Sequence, residues 1–134
     1  MKVLIVDDSM VMRKIVERAL RQAGLDLGSD LGNVLQAANG VEALAVLERA
    51  AQEDAPLDLI LCDVHMPVMD GLRFLVERPK RKLAPGVPVV MITADASDPY
   101  LLQAIAAGAQ GYIAKPFTLA QVQTIVASLL PHAA

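Results

Sequence analysis

The chain has 134 residues, 54% of them hydrophobic and 20% charged, with a net charge of −3 and one cysteine. That length suits one domain with a real core, and the composition excludes a disordered chain. A mildly acidic balance gives no electrostatic basis for binding nucleic acid, a lone cysteine allows no internal disulfide, and no apolar run approaches the ~18 residues of a membrane span.

Val3-Leu4-Ile5-Val6 is a continuous apolar run ending in Asp7-Asp8, which reads as a strand buried on both faces. It begins within three residues of Met1, leaving no room for a signal peptide, so a reduced cytoplasmic protein is expected. Ser9 caps a helix with a broad apolar face of Val11, Met12, Ile15, Val16, Ala19, Leu20 and Ala23, and Gly24 stops it. Residues 24–33 form a turn-rich loop whose glycines lie four apart, which is not a phosphate-cradling spacing. Residues 34–38 make a weaker strand, as an edge permits.

Asn39 and Glu42 form a capping-box variant opening the second helix, with Leu44, Leu47 and Ala51 as its buried stripe. The run 57–63, Leu-Asp-Leu-Ile-Leu-Cys-Asp, is a buried strand that delivers Asp63 into the loop ahead of Gly71. Asp70-Gly71-Leu72 begins a third helix that Pro79 ends or kinks. Arg78, Lys80, Arg81 and Lys82 read as a solvated helix end complementing the dipole. Residues 87–93 are the fourth strand, with Pro88 near its start. Asp98 caps the next helix, Pro99 takes its first position, and it runs to about Ala107 before Gly108. Residues 111–115 are a short fifth strand ending in Lys115. Thr118 and Gln121 cap a last helix with Val122, Ile125, Val126 and Leu129 inward, ended by Pro131.

Five strands alternating with five helices predict right-handed crossovers and a doubly wound parallel α/β sheet. One domain accounts for residues 1–134, with a core of about 2–130 and no output domain. In such a sheet the carboxyl ends share an edge, where ligands bind. Asp7, Asp8, Asp63, Thr93 and Lys115 therefore meet there. Any one of them has a dull explanation, as the polar residue at which a strand leaves the core. Together they are a site. Three acids in one pocket repel, and a divalent cation relieves that repulsion. Magnesium suits an oxygen-only site, and manganese could substitute. A lysine and a hydroxyl beside it suit an anion with several oxygens. That set describes phosphoryl transfer, and with no nucleotide-binding loop in the chain Asp63 is the expected acceptor.

Val6-Asp7-Asp8-Ser9, Asp63 before Met66-Pro67-Val68-Met69-Asp70-Gly71, Thr93-Ala94 and Lys115-Pro116-Phe117 carry a resemblance. Over essentially its whole length the chain resembles a bacterial two-component response-regulator receiver domain of the stand-alone chemotaxis type. The resemblance implies a flavodoxin-like (βα)5 sheet in the order 2-1-3-4-5. It implies that Asp63 takes a phosphoryl group from the phosphohistidine of a sensor histidine kinase or phosphotransfer protein. Asp8, Asp63 and the His65 backbone carbonyl would hold magnesium, with Asp7 acting through a metal-bound water. Thr93, Ala94 and Lys115 would contact the phosphoryl group, and the Lys115–Pro116 peptide would be cis. Thr93 and Tyr112 would be the switch pair. His65 departs from the small polar residue common there, which bears on dephosphorylation; its ring as a metal ligand competes with a plain rim position. Cys62 reads as an inert core thiol.

Between residues 96 and 134 the carboxylate and ammonium side chains are Asp98 and Lys115 alone. The resemblance places the readout here, and low charge suits an interface with a downstream protein or a second copy. The expected output face is Tyr100, Leu101, Gln103, Tyr112 and Gln123 within 98–130, against the plainer reading of an Ala-rich helix surface. Two other functions compete. A magnesium-dependent phosphatase or phosphotransferase would want a second acid where His65 stands, and a cap for which no sequence remains. A degenerate receiver would not keep Asp7, Asp8, Asp63, Thr93 and Lys115 together.

Overall fold

The computed structural model describes residues 1–28 and 31–129. Strands β1 (Val3–Val6), β2 (Val34–Ala37), β3 (Leu59–Asp63), β4 (Val89–Thr93) and β5 (Gly111–Ala114) alternate with helices α1 (Met10–Gln22), α2 (Gly40–Gln52), α3 (Gly71–Lys80), α4 (Pro99–Ala106) and α5 (Leu119–Leu129). The strands form one sheet in the order β2-β1-β3-β4-β5, and every pair is parallel. β1, β3 and β4 are buried throughout, which is why their sequences read as unbroken apolar runs.

Successive strand side chains feed two separate cores. Leu4, Val6, Ile60, Cys62, Val89 and Met91 face α2, α3 and α4, where Leu44, Leu47, Phe74, Leu75, Leu101 and Ala104 meet them. Val3, Ile5, Leu59, Leu61, Val90 and Ile92 face α1 and α5, against Val16, Leu20, Val122 and Val126. Leu25 and Leu27 from the loop after α1 join this second core, so that connection is a packed one. A 3-10 turn at Leu31–Asn33 leads it into β2.

Several expectations need correction. Val11 and Ile15 of α1 are exposed, because the buried stripe narrows to Val16 and Leu20 with Met12, Ala19 and Ala23 at its margins. Ala51 is also exposed, since α2 buries no side chain beyond Leu47. β3 starts at Leu59 and β4 at Val89, two residues later than read; Pro88 has no N–H, and its carbonyl accepts from Ile60 instead. Pro79 lies inside the last turn of α3, which ends one residue later at Lys80. Arg78 is half-buried: its Nη1 donates to the carbonyls of Ala84 and Val87, each at 3.0 Å, pinning the loop before β4. The expected stop at Pro131 lies outside the described residues.

The register builds the working edge. Val6 stands opposite Cys62, so the residues that follow them, Asp7 and Asp63, emerge side by side. The chain steps from β1 to β2 on one side and returns to β3 on the other, so these acids sit where the winding reverses.

Candidate functional site

Asp7, Asp8 and Asp63 present carboxylate oxygens that all lie within 4.8 Å of one another. Asp7 is 1% exposed and Asp63 9%, while Asp8 is open to solvent. Asp7 Oδ1 accepts from the Ser9 N–H at 2.9 Å. Its Oδ2 is buried with no hydrogen bond, and its nearest countercharge is Lys115 Nζ at 3.5 Å. The same ammonium is 3.6 Å from Asp63 Oδ2. Burial first, and the Asp7 charge second, hold the Asp63 carboxyl above the usual carboxylate range; Lys115 and the N–H groups of His65 and Val64 pull the other way.

These residues fit a divalent cation. A buried carboxylate oxygen without a hydrogen bond is costly, and clustered hard oxygens suit magnesium.

The loop between Asp63 and α3 is tightly held. Gly71 donates its N–H to the Val64 carbonyl at 2.9 Å, and a Cβ there would run into the Asp63 backbone oxygen. Only glycine lets α3 start this close to the acid. Val68 takes φ 69, a strained position for a β-branched residue. Cys62 is fully buried, its Sγ donates to the Asp63 carbonyl at 3.3 Å, and burial pushes the thiol well up, which leaves it unreactive.

Thr93 reaches the same edge but is engaged elsewhere. Its Oγ1 donates to the Asp95 carbonyl at 2.9 Å and accepts from the Asp95 N–H at 3.1 Å. Ala94 is exposed beside it, and the Thr93 carbonyl accepts from the Lys115 N–H at 2.7 Å, fixing β5 to β4 where the lysine leaves. The Lys115–Pro116 peptide is cis. Tyr112 is exposed on the edge strand.

The outer surface needs one correction. Leu101 is 1% exposed, because α4 turns residues 101 and 104 into the core; Leu102, at 62%, and Ile105 carry the apolar exposure instead. Tyr100, Gln103 and Gln123 are exposed.

Three participants escape a reading by sequence. Arg13 donates from Nη1 to the Asp7 carbonyl at 2.5 Å and from Nε to Gln36 Oε1 at 2.8 Å, steadying the end of β1. Asp95 holds the Thr93 hydroxyl through its backbone, a contact independent of its side chain. Asp98, legible as a helix cap, also meets the His65 ring, with Nε2 and Oδ2 2.5 Å apart. No spacing rule links residues so far apart in the chain.

With this geometry in view, the chain matches the family model described as the response regulator receiver domain over residues 3–127. It is 37% identical over 123 residues to the chemotaxis protein CheY-3 of Vibrio cholerae, covering 92% of this chain and 86% of that one. The Campylobacter jejuni chemotaxis protein CheY homolog is 36% identical over 118 residues, covering 88% and 83%. Among solved structures, Vibrio cholerae CheY4 superposes with a TM-score of 0.75 at 34% identity, covering 96% of this chain and 98% of that one. The receiver domain of the Pseudomonas aeruginosa sensor histidine kinase PA1611, with magnesium coordinated in its active-site cleft, gives a TM-score of 0.78 at 29% identity, covering 97% of each.

Proposed function

The chain belongs to the response regulator receiver domain family, and from that premise we propose that it is a magnesium-dependent phosphoacceptor switch with Asp63 as its acceptor. The observation that carries this reading is the Lys115 ammonium set 3.5 Å from Asp7 and 3.6 Å from Asp63, beside a third carboxylate. A nucleophilic oxygen, a phosphate-binding cation and a cluster of acids able to hold a metal stand together before any partner arrives.

Asp8, Asp63 and the His65 carbonyl would hold the cation, with Asp7 acting on it through a water. When bound, magnesium, or manganese in its place, neutralises the charge that builds on the phosphoryl oxygens. An Asp63 carboxylate oxygen attacks phosphorus, the bond to the donor's imidazole nitrogen breaks, and the imidazole leaves. Lys115 accompanies the phosphoryl oxygens as a point charge. The N–H groups of His65 and Ala94 face the incoming oxygens, while that of Val64 stays bonded to the Ile92 carbonyl at 3.1 Å. Thr93 then exchanges Asp95 for the phosphoryl group, and Tyr112 turns inward to fill the space.

The donor is a sensor histidine kinase or a phosphotransfer protein, and the product is read by a downstream protein or a second copy across the 98–130 face. The chain catalyses only its own phosphorylation and dephosphorylation. No helix among the described residues is long and apolar enough to cross a membrane, and the cytoplasm is the proposed location. The test is incubation with magnesium and acetyl phosphate. One acid-stable, base-labile phosphoryl adduct is expected, and Asp63→Asn abolishes it. An unmodified wild-type mass would sink the reading, and sustained turnover of a phosphate ester would replace it with a phosphatase.

A further inference from the structure

His65 touches both ends of the signalling path at once. It follows Asp63 by two residues, and its backbone N–H favours the charged form of that carboxylate. Its ring spans to Asp98, with Nε2 and Oδ2 2.5 Å apart. The other oxygen of Asp98 accepts from the Tyr100 N–H at 2.9 Å, which caps α4. The same imidazole meets the Tyr100 ring edge-on, with centroids 5.3 Å apart and planes at 86°. One residue thus stands two places from the acceptor in the chain and grips the cap and first aromatic of α4 through its side chain.

Resting on the phosphoacceptor reading of Asp63, we propose that His65 is a positioning residue that clasps Asp98 and Tyr100 in the resting protein. Phosphorylation of Asp63 opens this clasp and frees the first turn of α4 by a route that does not require the Thr93 hydroxyl. A phosphoryl group sets new anionic oxygens before the His65 N–H, and re-aiming that N–H rotates the residue that carries the ring. The added negative charge also competes with Asp98 for the imidazole. Thr93 approaches the clasp from the other side, because the Asp95 carbonyl accepts both its hydroxyl, at 2.9 Å, and the Asp98 N–H, at 3.1 Å, so removing that hydroxyl separates the two routes. The contact is either made or broken, which gives α4 two states for the phosphoryl group to choose between.

Tyr100 and Tyr112 are the two tyrosines of the chain, and it has no tryptophan. Fluorotyrosine labelling therefore yields one fluorine NMR signal in the clasp and one on β5, assigned with Tyr112→Phe. Beryllium fluoride with magnesium serves as the phosphoryl mimic, and its bound fluorides report occupancy in the same spectrum. Asp98→Ser keeps a capping hydroxyl but is too short to hold the ring, whereas Asp98→Asn keeps both functions. The Ser variant is expected to move the Tyr100 signal toward its mimic-bound position with no mimic present, leaving Tyr112 in place. The Asn variant is expected to restore the resting position. In Thr93→Ala with fluoride bound, Tyr100 still shifts while Tyr112 does not. A Tyr100 signal unmoved in Asp98→Ser, or unmoved in mimic-bound Thr93→Ala, overturns the proposal. A wild-type spectrum with no bound fluoride overturns the phosphoacceptor reading itself, and this proposal falls with it.

Discussion

At one edge of the sheet, two halves of the same site stand in different states. The acid half is assembled: Asp7, Asp8 and Asp63 lie within 4.8 Å, and Lys115 stands beside two of them. The hydroxyl half is not, for Thr93 is bonded to Asp95 and Tyr112 is exposed. The strands explain the difference. Asp7 and Asp63 leave neighbouring buried strands in fixed register, whereas Thr93 opens into the 94–98 loop and Tyr112 lies on an edge strand. On the proposed reading, chemistry begins with little rearrangement, and the free energy of the phosphoryl group is left to shift the readout half.

The largest effect belongs to the acceptor. Asp63→Asn is expected to abolish the adduct completely. It should also change how stability depends on pH. Burial and Asp7 raise the Asp63 carboxyl above its ordinary ~3.9, so the folded chain holds that proton more tightly than the unfolded one. Metal-free stability should then fall as pH rises from the ordinary carboxylate range through the raised value, and the Asn variant should lose that fall. Thermal melts in chelator across acid pH measure it; parallel curves for the two proteins would mean the acid half is not under electrostatic strain.

Magnesium comes next. At a hundredfold excess over its dissociation constant, a cation that binds only the folded state adds about 2.7 kcal/mol. Wild type should gain this in denaturant titrations, and Asp8→Ala should gain far less. Equal gains would separate metal binding from the acid cluster.

Thr93→Ala sharpens the comparison from the other side. Its hydroxyl is engaged with Asp95, so adduct formation should slow by less than about tenfold, within the ~1.5 kcal/mol of one neutral hydrogen bond. The Tyr112 response should disappear. A block on phosphorylation would show that the two halves act as one.

The smallest effect concerns strain. Val68 holds φ 69 with no glycine's freedom, and Val68→Asn should stabilise the fold by about 1 kcal/mol in urea unfolding. No gain would mean that the loop relaxes without cost.

The buried strands and the residues that end them were legible because a parallel sheet writes itself as apolar runs stopped by polar residues. Asp7, Asp63, Thr93 and Lys115 follow from that rule alone. What sequence could not show depends on facing and on contacts between distant loops. Leu101 and Leu102 differ by one residue, and only the rotation of α4 decides which is core. Arg78 sits in a basic cluster yet anchors two carbonyls, because a half-buried guanidinium finds oxygens that periodicity does not reveal. The approach of His65 to Asp98 arises where two loops meet, beyond any local pattern.

The central claim, that Asp63 is the residue that becomes the signal, is open to direct chemical marking. Borohydride reduces an aspartyl phosphate to homoserine, so the chain would be phosphorylated with acetyl phosphate and magnesium, reduced, digested and sequenced by mass spectrometry. Homoserine at position 63 alone is the predicted result. Homoserine at position 7 or 8, or at none of the three, would contradict the account.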